Sequence, residues 1–452
     1  MKKKRFALST VQVIMISFFI TILVGSILLS LPISSADGKA ISYIDALFTA
    51  TTSTCVTGLV TVPTVTTWSL FGQVVILVLI QIGGLGVITI ASGIMIALNK
   101  KMGLGDRILI QDSFNLNTLS GLVKFVKKVI AGTFVVEGVG ALLYMTVFVP
   151  QFGLKGIWIS VFTSISAFCN AGIDIISENS LCDYATNPII NAVTCVLIIL
   201  GGIGFVVWWD FIRVFKNTKK ISLKMLKKLT LHSKIALWVT GILIFIGAVA
   251  TFVFEYNNPL TMKDYTLFEK IQASFFQSIT TRTAGFATIP QQNLTNSTAI
   301  VTLLWMFIGG SPVGTAGGVK TVTFAVLIAS AVCTIRNKRD VSMFNRTISY
   351  NAVNKAAAVS FMSFIIMFVS TVLLSAVTEA TVLDVLYETV SATATVGLTR
   401  NFTPLLNNVG KVIIIATMYL GRVGPLSLAI AFKIKKENPD IIKNPTEDIS
   451  VG

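Results

Sequence analysis

Thr54-Cys55-Val56-Thr57-Gly58 is the first of four related segments, and its return along the chain decides the fold. The others are Phe168-Cys169-Asn170-Ala171-Gly172, Thr281-Arg282-Thr283-Ala284-Gly285 and Thr393-Ala394-Thr395-Val396-Gly397. Their glycines stand 114, 113 and 112 positions apart, and each segment lies between two long apolar runs. One loop repeated at a constant period inside an apolar chain predicts a pore lined by four similar walls.

Composition places those walls in a bilayer. The chain is 54% hydrophobic and 12% charged, where soluble domains carry about 25% charged residues. Runs of about 20 apolar residues cross a hydrocarbon core. Eight are expected: 10–31, 68–98, 129–149, 188–215, 235–254, 298–333, 359–377 and 409–432. The first run is too long for a signal peptide and has no clear cleavage site. The net charge of +16 reflects topology and not a nucleic-acid partner. With eight spans, 27 of the 36 Lys and Arg fall on the side of the termini, seven on the other and two, Lys320 and Arg422, within spans. The positive-inside rule makes the basic side cytoplasmic. The expectation is a multi-pass protein of the cytoplasmic membrane with both termini inside.

The usual signs of catalysis are missing. The five cysteines show no metal or disulfide spacing, and the single histidine, His232, is expected to be solvated in a lysine-rich connector. No nucleophile set, phosphate loop or paired intramembrane carboxylates can be assembled, so an enzyme is not expected.

Each repeat reads as a spanning helix, a loop, a semi-polar segment, the glycine signature and a second spanning helix. The semi-polar segments 45–54, 157–168, 267–280 and 384–393 are rich in Ser and Thr and too short to cross. They read as four re-entrant pore helices, each followed by a returning loop. Non-helical backbone at that depth must be buried in protein or line a water-filled cavity. Glycine supplies the backbone angles that turn carbonyls inward, and carbonyl rings can replace a potassium ion's hydration shell. Pore-helix C-termini aimed at the cavity favour a cation. Asp45 and Asp384 each precede their glycine by 13 positions, as a helix cap or as an ion ligand. The fold class is therefore all-α and polytopic, with four spanning helix–pore helix–spanning helix repeats about a pseudo-fourfold pore. The expected units are 1–98, 99–216, 217–333 (with a broken second span) and 334–452.

A second repeated element follows the glycine signature. Gly83-Gly84-Leu85-Gly86 and Gly201-Gly202-Ile203-Gly204 read as packing glycines within continuous helices. The third repeat expands to Gly309-Gly310-Ser311-Pro312-Val313-Gly314-Thr315-Ala316-Gly317-Gly318-Val319-Lys320, five glycines and a proline in twelve residues. Such a stretch breaks the helix and reads as a plug or gate beneath the pore loops, or as a packing kink. In the fourth repeat Arg422 replaces the second glycine. A charge at that depth is costly and marks function: a positive barrier in the path, or one half of a buried pair with Glu137. Arg282 either braces the pore loop from behind or faces the outer vestibule.

These motifs, with Gln81-Ile82 ahead of the first glycine cluster and Gly421-Arg422-Val423-Gly424-Pro425, resemble the Trk/Ktr/HKT potassium transporters, most nearly the KtrB-type membrane subunit. The resemblance covers nearly the whole chain. It implies potassium uptake by a channel-like pore, a homodimer in the lipid bilayer, and a cytosolic KtrA-type ring that carries the regulatory nucleotide. It places the filter at the backbone of Val56, Thr57, Gly58, Asn170, Ala171, Gly172, Thr283, Ala284, Gly285, Thr395, Val396 and Gly397. It places the gate at Gly309, Gly310, Ser311, Pro312, Gly314, Thr315, Gly317 and Gly318, with Arg422. Potassium is the implied cargo and sodium a candidate activator. The alternatives are a sodium-permeable or sodium-coupled relative, a secondary transporter of small solutes, or a scaffold.

Overall fold

A computed structural model describes residues 9–98, 103–113, 121–218, 227–338 and 340–424. The basic segments 2–5 and 433–443, and the end of the expected span 409–432, lie outside them. Four of the expected spans are single helices long and apolar enough to cross a membrane: α1 (Thr10–Ser30), α6 (Leu122–Phe152), α10 (Leu231–Glu255) and α14 (Tyr350–Val377). Each is followed by a short helix of 13–15 residues: α2 (Tyr43–Cys55), α7 (Leu154–Phe168), α11 (Leu267–Thr280) and α15 (Val382–Ala394). At 1.5 Å per residue these reach only about 20 Å, so none can span. The last two start where threonine side chains satisfy free amides: Thr266 caps α11 in a capping box with Glu269, and Thr381 caps α15. Such caps contribute about 1 kcal/mol each.

The second spans differ from expectation. Stretches 68–98 and 188–215 do not run as the continuous helices with packing glycines that their sequence suggests. The structure bends both sharply, between α3 (Leu70–Leu85) and α4 (Val87–Ala97) by 98°, and between α8 (Pro188–Gly202) and α9 (Phe205–Thr218) by 96°. Gly86 at φ +87° and Gly204 at φ +93° carry these breaks, in a region that residues with a Cβ rarely enter. The third breaks across residues 308–320, between α12 (Asn296–Phe307) and α13 (Thr321–Ile335). The fourth helix, α16 (Asn408–Val423), stops at Gly424, φ +90°. Breaks are therefore common to the first three repeats, and the third differs in the length of its insert. α5 (Leu104–Ser113) lies in the connector between α4 and α6.

Packing within each unit is the same. α1 contacts α2 and α3, α6 contacts α7 and α8, α10 contacts α11 and α12, and α14 contacts α15 and α16. Between units the pattern is cyclic: α3 meets α7, α8 meets α11, α12 meets α15, and α16 returns to α2. The first and last units therefore close a ring, with the short helices facing its centre.

Candidate functional site

The four glycine loops meet at that centre. The residue two before each glycine takes a positive φ: Val56 (56°), Asn170 (58°), Thr283 (70°) and Thr395 (52°). The glycines do the same, at φ 98°, 65°, 82° and 96° for Gly58, Gly172, Gly285 and Gly397. Each glycine lies against the carbonyl that precedes the next glycine round the ring. A Cβ on Gly58 would stand 2.5 Å from the Ala171 oxygen, on Gly172 2.5 Å from Ala284, and on Gly285 2.7 Å from Val396. Gly397 closes the circuit against the Thr57 oxygen. All twelve residues assigned to the filter thus come together in one collar.

Serine and threonine in the short helices hold the collar in shape. Gly58 N donates to Thr52 Oγ1 and Gly397 N to Ser391 Oγ, both at 3.0 Å. Ser166 Oγ donates to the Ile173 carbonyl (2.5 Å) and Thr280 Oγ1 to the Phe286 carbonyl (2.6 Å). The semi-polar character of these helices was legible in the sequence; its use as a set of clamps was not. Asp45 accepts bonds from Thr61 Oγ1 (2.8 Å) and Lys411 Nζ (2.7 Å), and Asp384 from Thr381 Oγ1 (2.6 Å) and Arg400 Nε (2.8 Å). Both acids are therefore held near helix N-termini by partners outside the collar.

Directly below lies the 309–318 insert. Its backbone is tied to the broken second helix of the preceding unit: Ser311 N donates to the Gly202 carbonyl (2.8 Å), Thr315 N to Gly201 (3.1 Å), and Phe205 N to Val313 (2.9 Å). Thr315 Oγ1 donates to the Phe168 carbonyl (3.1 Å) and Gly317 N to Thr283 Oγ1 (3.2 Å). Gly317 also lies hard against the Thr395 hydroxyl. Gly309 and Gly310 bond to Val319 and Thr321, closing the insert's base. Pro312 and Gly314 pack on Gly204, and Gly318 turns with φ +65°. Among the described residues, the Oγ1 atoms of Thr54, Thr57, Thr393 and Thr395 are buried without a protein partner. Buried polar groups are nearly always bonded, so these four hydroxyls, from the first and fourth units, call for something else to bind.

Arg422 joins the same layer. Its Nη1 donates to the Thr315 carbonyl (2.7 Å), and its Nη2 to the Gly83 carbonyl. The pairing with Glu137 is not made: Glu137 accepts bonds from Gln81 Nε2 at 3.1 and 3.3 Å, and its backbone carbonyl from Ser164 Oγ. Arg282 faces neither the vestibule nor the collar backbone. It reaches the carbonyls of Thr240 (3.3 Å) and Gly309 (3.2 Å), bridging α10 to the start of the insert. Lys320, which the sequence places within a span without a role, donates its Nζ to the carbonyls of Ala316 (2.5 Å) and Gly317 (3.3 Å) within the insert. His232, expected to be solvated, is half-buried in the first turn of α10 with Nε2 unpaired.

Two cavities flank the collar. One of about 370 Å³ opens on the side that charge asymmetry assigns to the exterior, and all four collar glycines line it. Another, of about 290 Å³, lies beneath, between Gly317, Lys320, Thr393 and Arg422. An axial path with a carbonyl collar and a cationic, loop-filled constriction can pass a small dehydrated cation and can be blocked.

Residues 1–444 match the family model described as TrkH, cation transport protein. The chain is 41% identical over 443 residues to the Ktr system potassium uptake protein B of Bacillus subtilis, covering 98% of this chain and 96% of that one. It is 39% identical to the potassium/sodium uptake protein NtpJ of Enterococcus hirae, covering 100% and 99%. The crystal structure of the potassium transporter TrkH from Vibrio parahaemolyticus superposes with a TM-score of 0.75 at 16% identity, covering 96% of this chain and 86% of that one.

Proposed function

Since the chain belongs to the TrkH family of cation transport proteins, we propose that it is the ion-translocating subunit of a Ktr-type potassium uptake system. It is a multi-pass membrane protein and a transporter, not an enzyme. The observation that carries the reading is the cyclic collar, in which each ring glycine meets the carbonyl of the adjoining loop. The twelve collar residues named above form the filter, and their carbonyls take the place of water on the ion. The unpartnered hydroxyls of Thr54, Thr57, Thr393 and Thr395 add to that lining.

The 309–318 insert is the gate and Arg422 its latch, since the guanidinium holds the insert at Thr315 and the first unit at Gly83. Units 1–98, 99–216, 217–333 and 334–452 are the four walls. An inward-negative potential supplies about 2.3 kcal/mol per charge for each 100 mV, enough to drive accumulation without nucleotide chemistry in this chain. The protein sits in the cytoplasmic membrane as a homodimer with both termini inside. A KtrA-type ring on the cytoplasmic face binds the regulatory nucleotide and moves the insert. Sodium acts as activator, or as second cargo; the similarity to the Enterococcus hirae potassium/sodium uptake protein NtpJ supports the latter.

Rubidium uptake into proteoliposomes tests the assignment, with sodium, potential and the regulatory ring varied in turn. Uptake driven by an inward-negative potential and inhibited by potassium is expected. Failure to move rubidium under any of these conditions would remove potassium transport. Arg422→Ala should raise uptake by roughly tenfold or more, because it removes two hydrogen bonds from a charged donor, each contributing about 1.5–3 kcal/mol, where about 1.4 kcal/mol is a factor of ten. Glu137→Gln should neither mimic nor reverse that gain, since Glu137 bonds to Gln81 and not to Arg422.

A further inference from the structure

Four positions before the clamping hydroxyl of each short helix stands a buried aromatic ring: Phe48, Phe162, Phe276 and Tyr387. Three are phenylalanine, so at this level the fourth unit alone carries a hydroxyl. That hydroxyl reaches across a seam. Tyr387 Oη donates to Gln291 Oε1 at 2.8 Å, joining α15 to the loop of the third unit. Gln291 is itself locked to α11 by a reciprocal amide pair. Gln277 Nε2 donates to Gln291 Oε1 (2.7 Å), and Gln291 Nε2 donates to Gln277 Oε1 (3.0 Å). The same Nε2 reaches the Ile289 carbonyl at 2.7 Å, four positions past the third collar glycine. Thr302 of α12, in the same unit, is a second partner of Tyr387. Tyr387, Gln291 and Gln277 are all buried.

The bond lies at the seam where the third and fourth collar loops touch, Gly285 against the Val396 carbonyl. Tyr387 belongs to the apolar cluster that contains Val396 and Leu398, the neighbours of Gly397. The next residue, Glu388, stays within its own unit and accepts the hydroxyls of Thr399 (2.8 Å) and Thr403 (2.5 Å). At the other seams, short helices bond to the preceding unit further out, through Trp158 to Gln73, Gln272 to the Ala185 carbonyl, and Asp45 to Lys411. Those three residues stand seven or eight positions before their clamps, and Tyr387 only four. Three or four helical residues are about 5 Å, so Tyr387 is the closest of these four links to the collar.

We propose that the Tyr387–Gln291 bond fixes the spacing of the third and fourth walls, and with it the collar's preference for a potassium-sized ion over sodium. The inference rests on the transport reading above. Carbonyl oxygens must take the place of an ion's water, and sodium, being smaller, needs them drawn closer. Walls fixed at one spacing cannot close round it; unfixed walls can. Tyr387 touches no ion. It acts through the backbone carbonyls it positions.

The test is tracer uptake by the full chain in proteoliposomes, with rubidium and sodium labelled in turn in one medium, so that any activation by sodium is common to both. Tyr387→Phe removes one oxygen and leaves the ring that the other three units carry, so the fold should hold. The rubidium-to-sodium ratio of initial rates should fall roughly fivefold, which is the effect of one buried hydrogen bond expressed as a ratio. Gln291→Asn, whose shorter arm stops short of Tyr387, should lower the ratio too. The double variant should fall no further than Gln291→Asn alone, because both changes break the same bond. An unchanged ratio in Tyr387→Phe would overturn the proposal. So would an equal loss of both rates, which would mark the hydroxyl as a packing support, or additive falls in the double variant. An unsubstituted chain that moves neither ion would instead refute the transport reading.

Discussion

Deleting residues 312–316 is expected to raise rubidium uptake in proteoliposomes by at least roughly tenfold. The deletion takes away the bond from Phe205 N to Val313 and three bonds made by Thr315: to Gly201, to Phe168 and from Arg422. Each buried bond contributes about 1 kcal/mol net, and about 1.4 kcal/mol is a factor of ten in an equilibrium. Together they account for a strongly closed resting state. The deletion should leave the collar intact, because Thr52, Ser166, Thr280 and Ser391 clamp it from the short helices and none of these bonds involves the insert. Selectivity for rubidium over sodium should therefore change less than rate. An unchanged rate in a protein that elutes as a single homogeneous species would mean that the insert does not block the path.

Gly58→Ala should lower uptake by roughly a hundredfold or more, since an L residue resists positive φ by about 1–2 kcal/mol before any clash. Here the clash is severe, because the new Cβ would stand 2.5 Å from the Ala171 oxygen, with the Gly397 Cα at 3.3 Å. Both obstacles are backbone, so no side chain can rotate away. The strain would spread to the neighbouring loop and spoil carbonyl geometry around the ring. Gly138→Ala is the control, since a Cβ there meets nothing within 4 Å, and its uptake should match the unsubstituted chain. Undiminished uptake and ion preference in Gly58→Ala would remove the collar from the conduction path.

The sequence was most informative where function depends on repeated local chemistry. Four glycines at a constant period exposed the four loops that meet at the collar, because their shared positive φ requires a residue without a Cβ at each. Short, Ser/Thr-rich segments next to long apolar ones exposed the re-entrant helices, because length sets what can cross a bilayer. The glycines of 309–318 exposed the insert, because so many cannot stay helical. The bends at Gly86 and Gly204 were misread as packing. Those helices do pack tightly, with Gly83 against the Thr54 carbonyl and Gly201 against Phe168. Their third glycine nevertheless turns the chain, and a helical pattern on both sides hides a break of one or two residues.

Composition, hydropathy and spacing by themselves determined the membrane location, the short non-spanning helices, the four glycine loops and the presence of a deep arginine. These follow from the solvation of residues near each other along the chain. Tertiary structure alone decided who meets whom across the ring. It set the cyclic order that lays each glycine on the next loop's carbonyl, sent Arg422 to Thr315 and Gly83, and gave Glu137 to Gln81. Such partners stand tens to hundreds of positions apart, and their contacts arise only when helices pack and bring specific backbone oxygens within reach of specific donors.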